Sequence, residues 1–128
     1  MTVAEKSTVQ VKGNVMYTKN TSGSVSVQEA SAIADEIRRL VEQHNVTKMI
    51  VDNRELNGVW NSEVNDVWSD LMTWLVARVD KCATLCKSVV NKMQLDRLSR
   101  QAGTQDKVKA FTSEVDVCLY LGMEKIDF

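Results

Sequence analysis

The chain contains no proline, so nothing in it forces a kink, and its turns must rest on Gly, Asn, Asp and Ser. It has one histidine, His44, which excludes a multi-histidine metal site. Its three cysteines, Cys82, Cys86 and Cys118, are an odd set without zinc-type spacing and read as reduced thiols in a reducing cytoplasm. Cys82 and Cys86 share an extended run that would set them about 13 Å apart, too far for a direct disulfide. Nothing in the sequence links His44 to a thiol, so no nucleophilic cysteine site can be assembled and none of the three is read as more than a small buried hydrophobe. The net charge is only −1, which gives no basic field to gather nucleic acid or an anionic membrane. No apolar run approaches the length of a membrane span, and Met1 to Gly13 has no apolar core of a secretory leader. A cytoplasmic protein without an integral membrane segment is expected. No catalytic or cofactor motif stands out along the chain.

What is present is a pattern. The 128 residues, 44% hydrophobic and 26% charged, suit one soluble domain spanning 1–128. Strand-like runs at Thr8–Lys12, Val15–Lys19, Lys48–Asp52, Ala83–Ser88 and Lys107–Phe111 alternate with amphipathic helical stretches. The first two runs flank Gly13-Asn14 and predict a hairpin. Ser26 with Glu29 makes a capping box. Behind it Ala30, Ile33, Ala34, Ile37, Leu40 and Val41 recur at helical spacing up to a stop near His44-Asn45, where a histidine suits the helix C-terminus. Met49 to Asp52 is short, apolar and β-branched, as a buried parallel strand should be. A second helix starts near Ser62, with Val64, Val67, Trp68, Leu71, Leu75 and Val79 as its stripe. A weaker third helix over Asn91–Ala102 carries Met93, Leu95, Leu98 and Ala102 in poor phase and ends at Gly103. Ser113 caps a short last helix. This alternation predicts an α/β fold with a mostly parallel sheet.

The order hairpin, helix, strand, helix, strand, helix, strand, helix resembles the SpoIIAA-like fold of STAS domains and bacterial anti-sigma factor antagonists. The strand Met49-Ile-Val-Asp52, the length of the loop from Asp52 to Ser62, and the closing Val108–Phe111 strand followed by Ser113 and the turn through Leu119 and Leu121 carry the resemblance. It implies a mostly parallel sheet with an N-terminal hairpin and flanking helices. It also implies a regulatory serine at the start of the second helix, and Ser62 is the residue that matches by position. The family's Asp-Ser motif, followed by a small residue and Gly, is replaced here by Asn61-Ser62-Glu63-Val64. The chain resembles the divergent, largely uncharacterised STAS-like branch.

Beside the phosphorylation reading, Ser62 can be an ordinary helix cap, and Glu63, Asp66 and Asp70 would repel a phosphate there. The loop Asp52–Asn61 lies where open α/β sheets bind ligands. Asp52, Arg54, Glu55, Trp60 and Asn61 are its candidate partner or ligand surface, set against an internal Arg54 ion pair and a Trp60 folded over the core. Trp68 falls mid-stripe and reads as core, whereas Trp74 at the stripe's edge is a candidate interface anchor. Asp52 to Asp70 holds five acidic side chains and one Arg, a balance of −4, and Lys87 to Lys109 holds six basic side chains and two Asp, a balance of +4. Such poles suit self-association or a charged partner, and each alone suits solvated surface. The leading expectation is a non-enzymatic regulatory or protein-interaction domain in a bacterial cytoplasm, with an unidentified protein partner and homodimerisation through the second helix. The alternative is a small-molecule or lipid-binding domain, as in α/β folds of the CRAL-TRIO type, which requires an apolar pocket. A third reading makes Asp52 or Glu55 a general base, which requires a buried carboxylate of raised pKa.

Overall fold

The computed structural model describes residues 2–4, 7–56, 60–104 and 106–126. Among them run β1 (Thr2–Ala4), β2 (Ser7–Lys12), β3 (Val15–Asn20), α1 (Val27–His44), β4 (Lys48–Asp52), α2 (Ser62–Val76), β5 (Lys81–Leu85), α3 (Val89–Ala102), β6 (Val108–Phe111) and α4 (Glu114–Leu121). The strands form one sheet in chain order from β1 to β6. The β1–β2 and β2–β3 pairs are antiparallel, and β3 through β6 are parallel. The α/β arrangement expected from the sequence, a mostly parallel sheet with an N-terminal hairpin and flanking helices, is the one observed.

The local chemistry explains the element ends. Gly13 turns the β2–β3 hairpin with φ +62°, a conformation that L side chains avoid. Ser26 accepts from the Glu29 N–H at 3.0 Å while Glu29 Oε1 accepts from the Ser26 N–H at 3.2 Å, which completes the capping box of α1. Asn45 ends α1 in the left-handed region. Gly103 and Gly122 do the same for α3 and α4.

Three elements depart from expectation. β1 adds a strand on the outer edge of the hairpin. β5 runs Lys81–Leu85 rather than Ala83–Ser88, because Lys81 pairs with Lys48 in register with β4. Ser88 caps α3, which therefore starts at Val89, two residues before the expected Asn91. The side chains of Leu98 and Ala102, expected in the stripe of α3, lie outside the described residues.

The sheet is covered on both faces. Along one face Met16, Met49, Cys82 and Val108 stand side by side in register. They pack against Ile33, Ile37 and Leu40 of α1 and Leu71 and Leu75 of α2. On the other face Ile50, Ala83 and Leu85 pack against Val117 and Leu121 of α4. Alternation along each strand assigns the faces: Met16, Thr18 and Asn20 look one way, and Val15, Tyr17 and Lys19 the other.

Candidate binding cavity at the strand ends

Moving along the α1–α2 face toward the carboxyl ends of the parallel strands, the side chains change character. The row after Met16, Met49, Cys82 and Val108 is Thr18, Val51, Thr84 and Ala110, again in register across four strands. The row beyond holds Asn20, Asn53 and Cys86. These two rows floor a partly open cavity of about 360 Å³. Trp68, Leu71 and Met72 of α2, Leu95 and Ser99 of α3, Ile33 and Ile37 of α1, and Trp60 from the loop before α2 contribute to its walls. Open α/β sheets place ligand crevices at this end of their strands.

The polar floor is partly self-satisfied. Ser7 Oγ donates to Asn20 Oδ1 at 2.8 Å, and Asn20 Nδ2 donates to Asn53 Oδ1 at 2.8 Å, a buried chain across β2, β3 and the end of β4. Among the described residues three other buried side-chain polar atoms, Thr18 Oγ1, Trp60 Nε1 and Trp68 Nε1, have no hydrogen-bond partner, and each exposes less than 1 Å² of surface. All three belong to side chains that line this cavity. The two indoles meet edge to face, with centroids 5.6 Å apart. A buried polar group without a partner costs roughly 1–3 kcal/mol.

The loop surface expected from the sequence divides between the two faces of the sheet. Asp52, Arg54 and Glu55 lie on the α4 side. Asp52 is 2% exposed. Its carboxylate accepts from the Arg54 backbone N–H at 3.1 Å, from Arg54 Nε at 3.0 Å and Nη2 at 2.9 Å, and from the Tyr17 hydroxyl. Arg54 also reaches Glu114 of α4 at 2.9 Å, and Glu55 pairs with Lys19. Burial acts to raise the Asp52 carboxyl, but the bonds from Arg54 and Tyr17 and the charge of Arg54 outweigh it and hold it below the usual range. Burial, reinforced by Asp52, pushes the Tyr17 hydroxyl up to about 12. A general base needs the opposite shift, so Asp52 does not meet that requirement, and Glu55 is exposed. Trp60 lies on the cavity side with Asn53 and Leu56, and packs on Trp68 and on the small cluster of Val25, Ala30 and Val64. Asn57, Gly58 and Val59 of the loop lie outside the described residues.

At the start of α2 the cap is Asn61, not Ser62. Asn61 has extended backbone and its Oδ1 accepts from the Val64 N–H at 2.9 Å. Ser62 is the first helical residue and is exposed. Trp74 is half-buried at the α1–α2 edge, with the guanidinium of Arg78 4.0 Å and that of Arg38 6.0 Å from its ring. Sequence reasoning missed Thr18, Asn20, Asn53 and Thr84. Their signal was the polar residue at alternate positions late in each apolar strand.

All three cysteines are free and buried. Burial pushes the Cys82 thiol up to about 12 and the cavity-lining Cys86 up to about 11, the latter with help from Asp96, so neither is a thiolate near neutral pH. Among the described residues no cluster of His, Cys, Asp or Glu could hold a metal ion, and no helix is long and apolar enough to cross a membrane.

No family model matches the chain, and none of the curated proteins compared matches it. Solved structures do. An uncharacterised protein of the DUF3478 family with a SpoIIAA-like fold, from Shewanella loihica PV-4, superposes with a TM-score of 0.67 at 9% identity over 90% of this chain and 91% of its own. The anti-sigma factor antagonist SpoIIAA, in its unphosphorylated form, superposes with a TM-score of 0.63 at 15% identity over 91% of this chain and 97% of its own. The chain has the SpoIIAA-like fold.

Proposed function

We propose that this chain is a non-enzymatic, single-domain STAS-like protein whose working site is the cavity between α2, α3 and the strand ends, where it binds a small, largely apolar molecule. The observation that carries this reading is a partly open cavity of about 360 Å³ at the carboxyl ends of the parallel strands, whose described lining holds a single charged side chain, the exposed Lys109. The loop carboxylates are engaged in internal pairs with Arg54 and Lys19, which leaves the cavity as the better-supplied site. The three free thiols suit a reducing cytoplasm. Titration with the neutral fluorophore N-phenyl-1-naphthylamine tests the reading. Saturable binding at one per chain, with quenching of Trp60 and Trp68 emission, is expected. No saturable binding would remove it.

A second reading is favoured by one observation, the exposed Ser62 at the first position of α2, beside the exposed Glu63 and Asp66. It makes the start of α2 a regulatory protein-interaction surface, as in an anti-sigma factor antagonist, with Ser62 as its modifiable hydroxyl. Asn61 adjoins it, Trp74 lies near the far end of the same helix, Arg54 and Glu55 lie on the other face of the sheet, and a second copy of the chain is one candidate partner. Intact-mass analysis of protein from its native cells tests it: an added phosphate mapped to Ser62 supports it, and identical partner binding by wild type, Ser62→Ala and Ser62→Asp would remove it.

A further inference from the structure

We infer that α3 docks a second copy of this chain, its exposed apolar and basic face meeting the exposed acidic face of α2 on the neighbouring copy. The contact uses neither the cavity nor Ser62, so it goes beyond both readings above. α3 turns Leu95 and Ser99 toward the cavity. Val89, Val90, Met93, Arg97 and Arg100, linked by steps of three and four, share another side of the helix. All five are exposed, the three apolar ones by more than 60% each. Single exposed apolar side chains are ordinary, but three on one turn and a half of one helix make a patch. The same side is positive. Asp96, the one acid of α3, is paired with Lys92 at 2.9 Å. Arg97, Arg100 and the exposed Lys87 just before the helix have no ion pair among the described residues.

α2 offers the complement. Glu63, Asp66 and Asp70 are exposed, follow one another by three and four, and also have no ion pair among the described residues. Half-buried Val67 sits among them, four after Glu63 and three before Asp70. Glu63 to Asp70 and Met93 to Arg100 cover equal lengths, about 10 Å along each helix. Charge selects the occupant. The stretch holding α3 carries +4 and the stretch holding α2 carries −4, in a chain of net −1. An anionic membrane drawn to α3 would be repelled by α2, whereas a second copy answers both, and the small net charge opposes it little. The two faces differ, so each pairing leaves one of each unused and the contact runs head to tail. Faces this short make a weak contact, and exposed charges make it sensitive to salt.

Sedimentation equilibrium on the full chain tests the contact. From micromolar to millimolar protein at low salt, the weight-average mass should rise about 1.5-fold or more, and about 1 M salt, which cuts the screening length to about 3 Å, should bring it most of the way back. Arg97→Gln with Arg100→Gln, and separately Asp66→Asn with Asp70→Asn, should each abolish the rise. Mixed one to one, the two variants should associate again, because each keeps the face that the other lacks. All four positions are exposed, so neither double change removes a buried contact. A wild type that stays monomeric throughout would overturn the inference, as would self-association that either variant retains. A mixture that stays monomeric would show that the two faces are not each other's partners. Binding of a monomeric wild type to phosphatidylglycerol vesicles, lost in the Arg97→Gln, Arg100→Gln variant, would assign the face to an anionic membrane and remove the second copy.

Discussion

At the scale of single residues, Asp52 is the most constrained ionisable group on the α4 face. Four hydrogen bonds converge on a carboxylate that is 2% exposed. Its folded pKa is depressed, so its contribution to stability is fully present above the unfolded value of about 3.9 and is lost as pH falls through the lower folded value. Asp52→Asn should therefore destabilise the protein by roughly 1.5–3 kcal/mol at pH 7, the range for hydrogen bonds to a charged group. Urea melts at pH 7 and pH 3 check this, and the gap between wild type and variant should be narrower at pH 3. An equal gap at both values would mean that Asp52 is not the ionised centre of the cluster. The cap of α2 gives a second residue-scale expectation. Asn61→Ala should cost about 1 kcal/mol, and Ser62→Ala, one position further on and outside the cap, less than about 0.5 kcal/mol. Melts in which Ser62→Ala is the costlier change would return the cap to Ser62.

At the scale of elements, α1 and α3 are opposites. α1 carries a capping box at one end, a left-handed Asn45 at the other, and six buried side chains between them. All of this was legible in the sequence because each signal is local: a cap, a box and an apolar stripe act within a few residues of one another. α3 has no buried side chain among those described, and Val89, Val90 and Met93 are each more than 60% exposed. Its poor apolar phase was legible, but its start was not. Ser88 could equally have ended a strand, and only the pairing of β5 with β4 settles that it caps a helix. The difference between the two helices predicts different local stabilities, because opening α3 exposes little apolar surface. In native-state hydrogen exchange, amides across Leu95–Arg100 should exchange well before those across Ile33–Leu40. Equal protection of both helices would show that α3 opens only with the whole protein.

At the scale of the whole molecule, the site is a product of register, and for that reason the sequence hid it. Thr18, Val51, Thr84 and Ala110 are dispersed along the chain and become one row only when four strands align. The loop Asp52–Asn61 could be singled out from its place at a strand end. Strand alternation puts Asp52 on the α4 side and Asn53 on the cavity side, and a turn at Arg54–Glu55, closed by the Leu56 N–H on the Asn53 carbonyl at 3.2 Å, then breaks the alternation before Leu56 and Trp60 reach the cavity. The same geometry couples the site to the stability of the fold. One wall is the firmly packed α2 and another is the lightly packed α3, so an occupant gives α3 apolar contacts that it otherwise lacks. A ligand that binds only the folded state at 100 times its Kd stabilises that state by about 2.7 kcal/mol, which for a chain of this length raises Tm by roughly 10 °C. A thermal melt with saturating N-phenyl-1-naphthylamine should show a rise of that order, and hydrogen exchange under the same conditions should show α3 gaining more protection than α1. A Tm rise without added protection of α3 would place the bound molecule elsewhere on the protein.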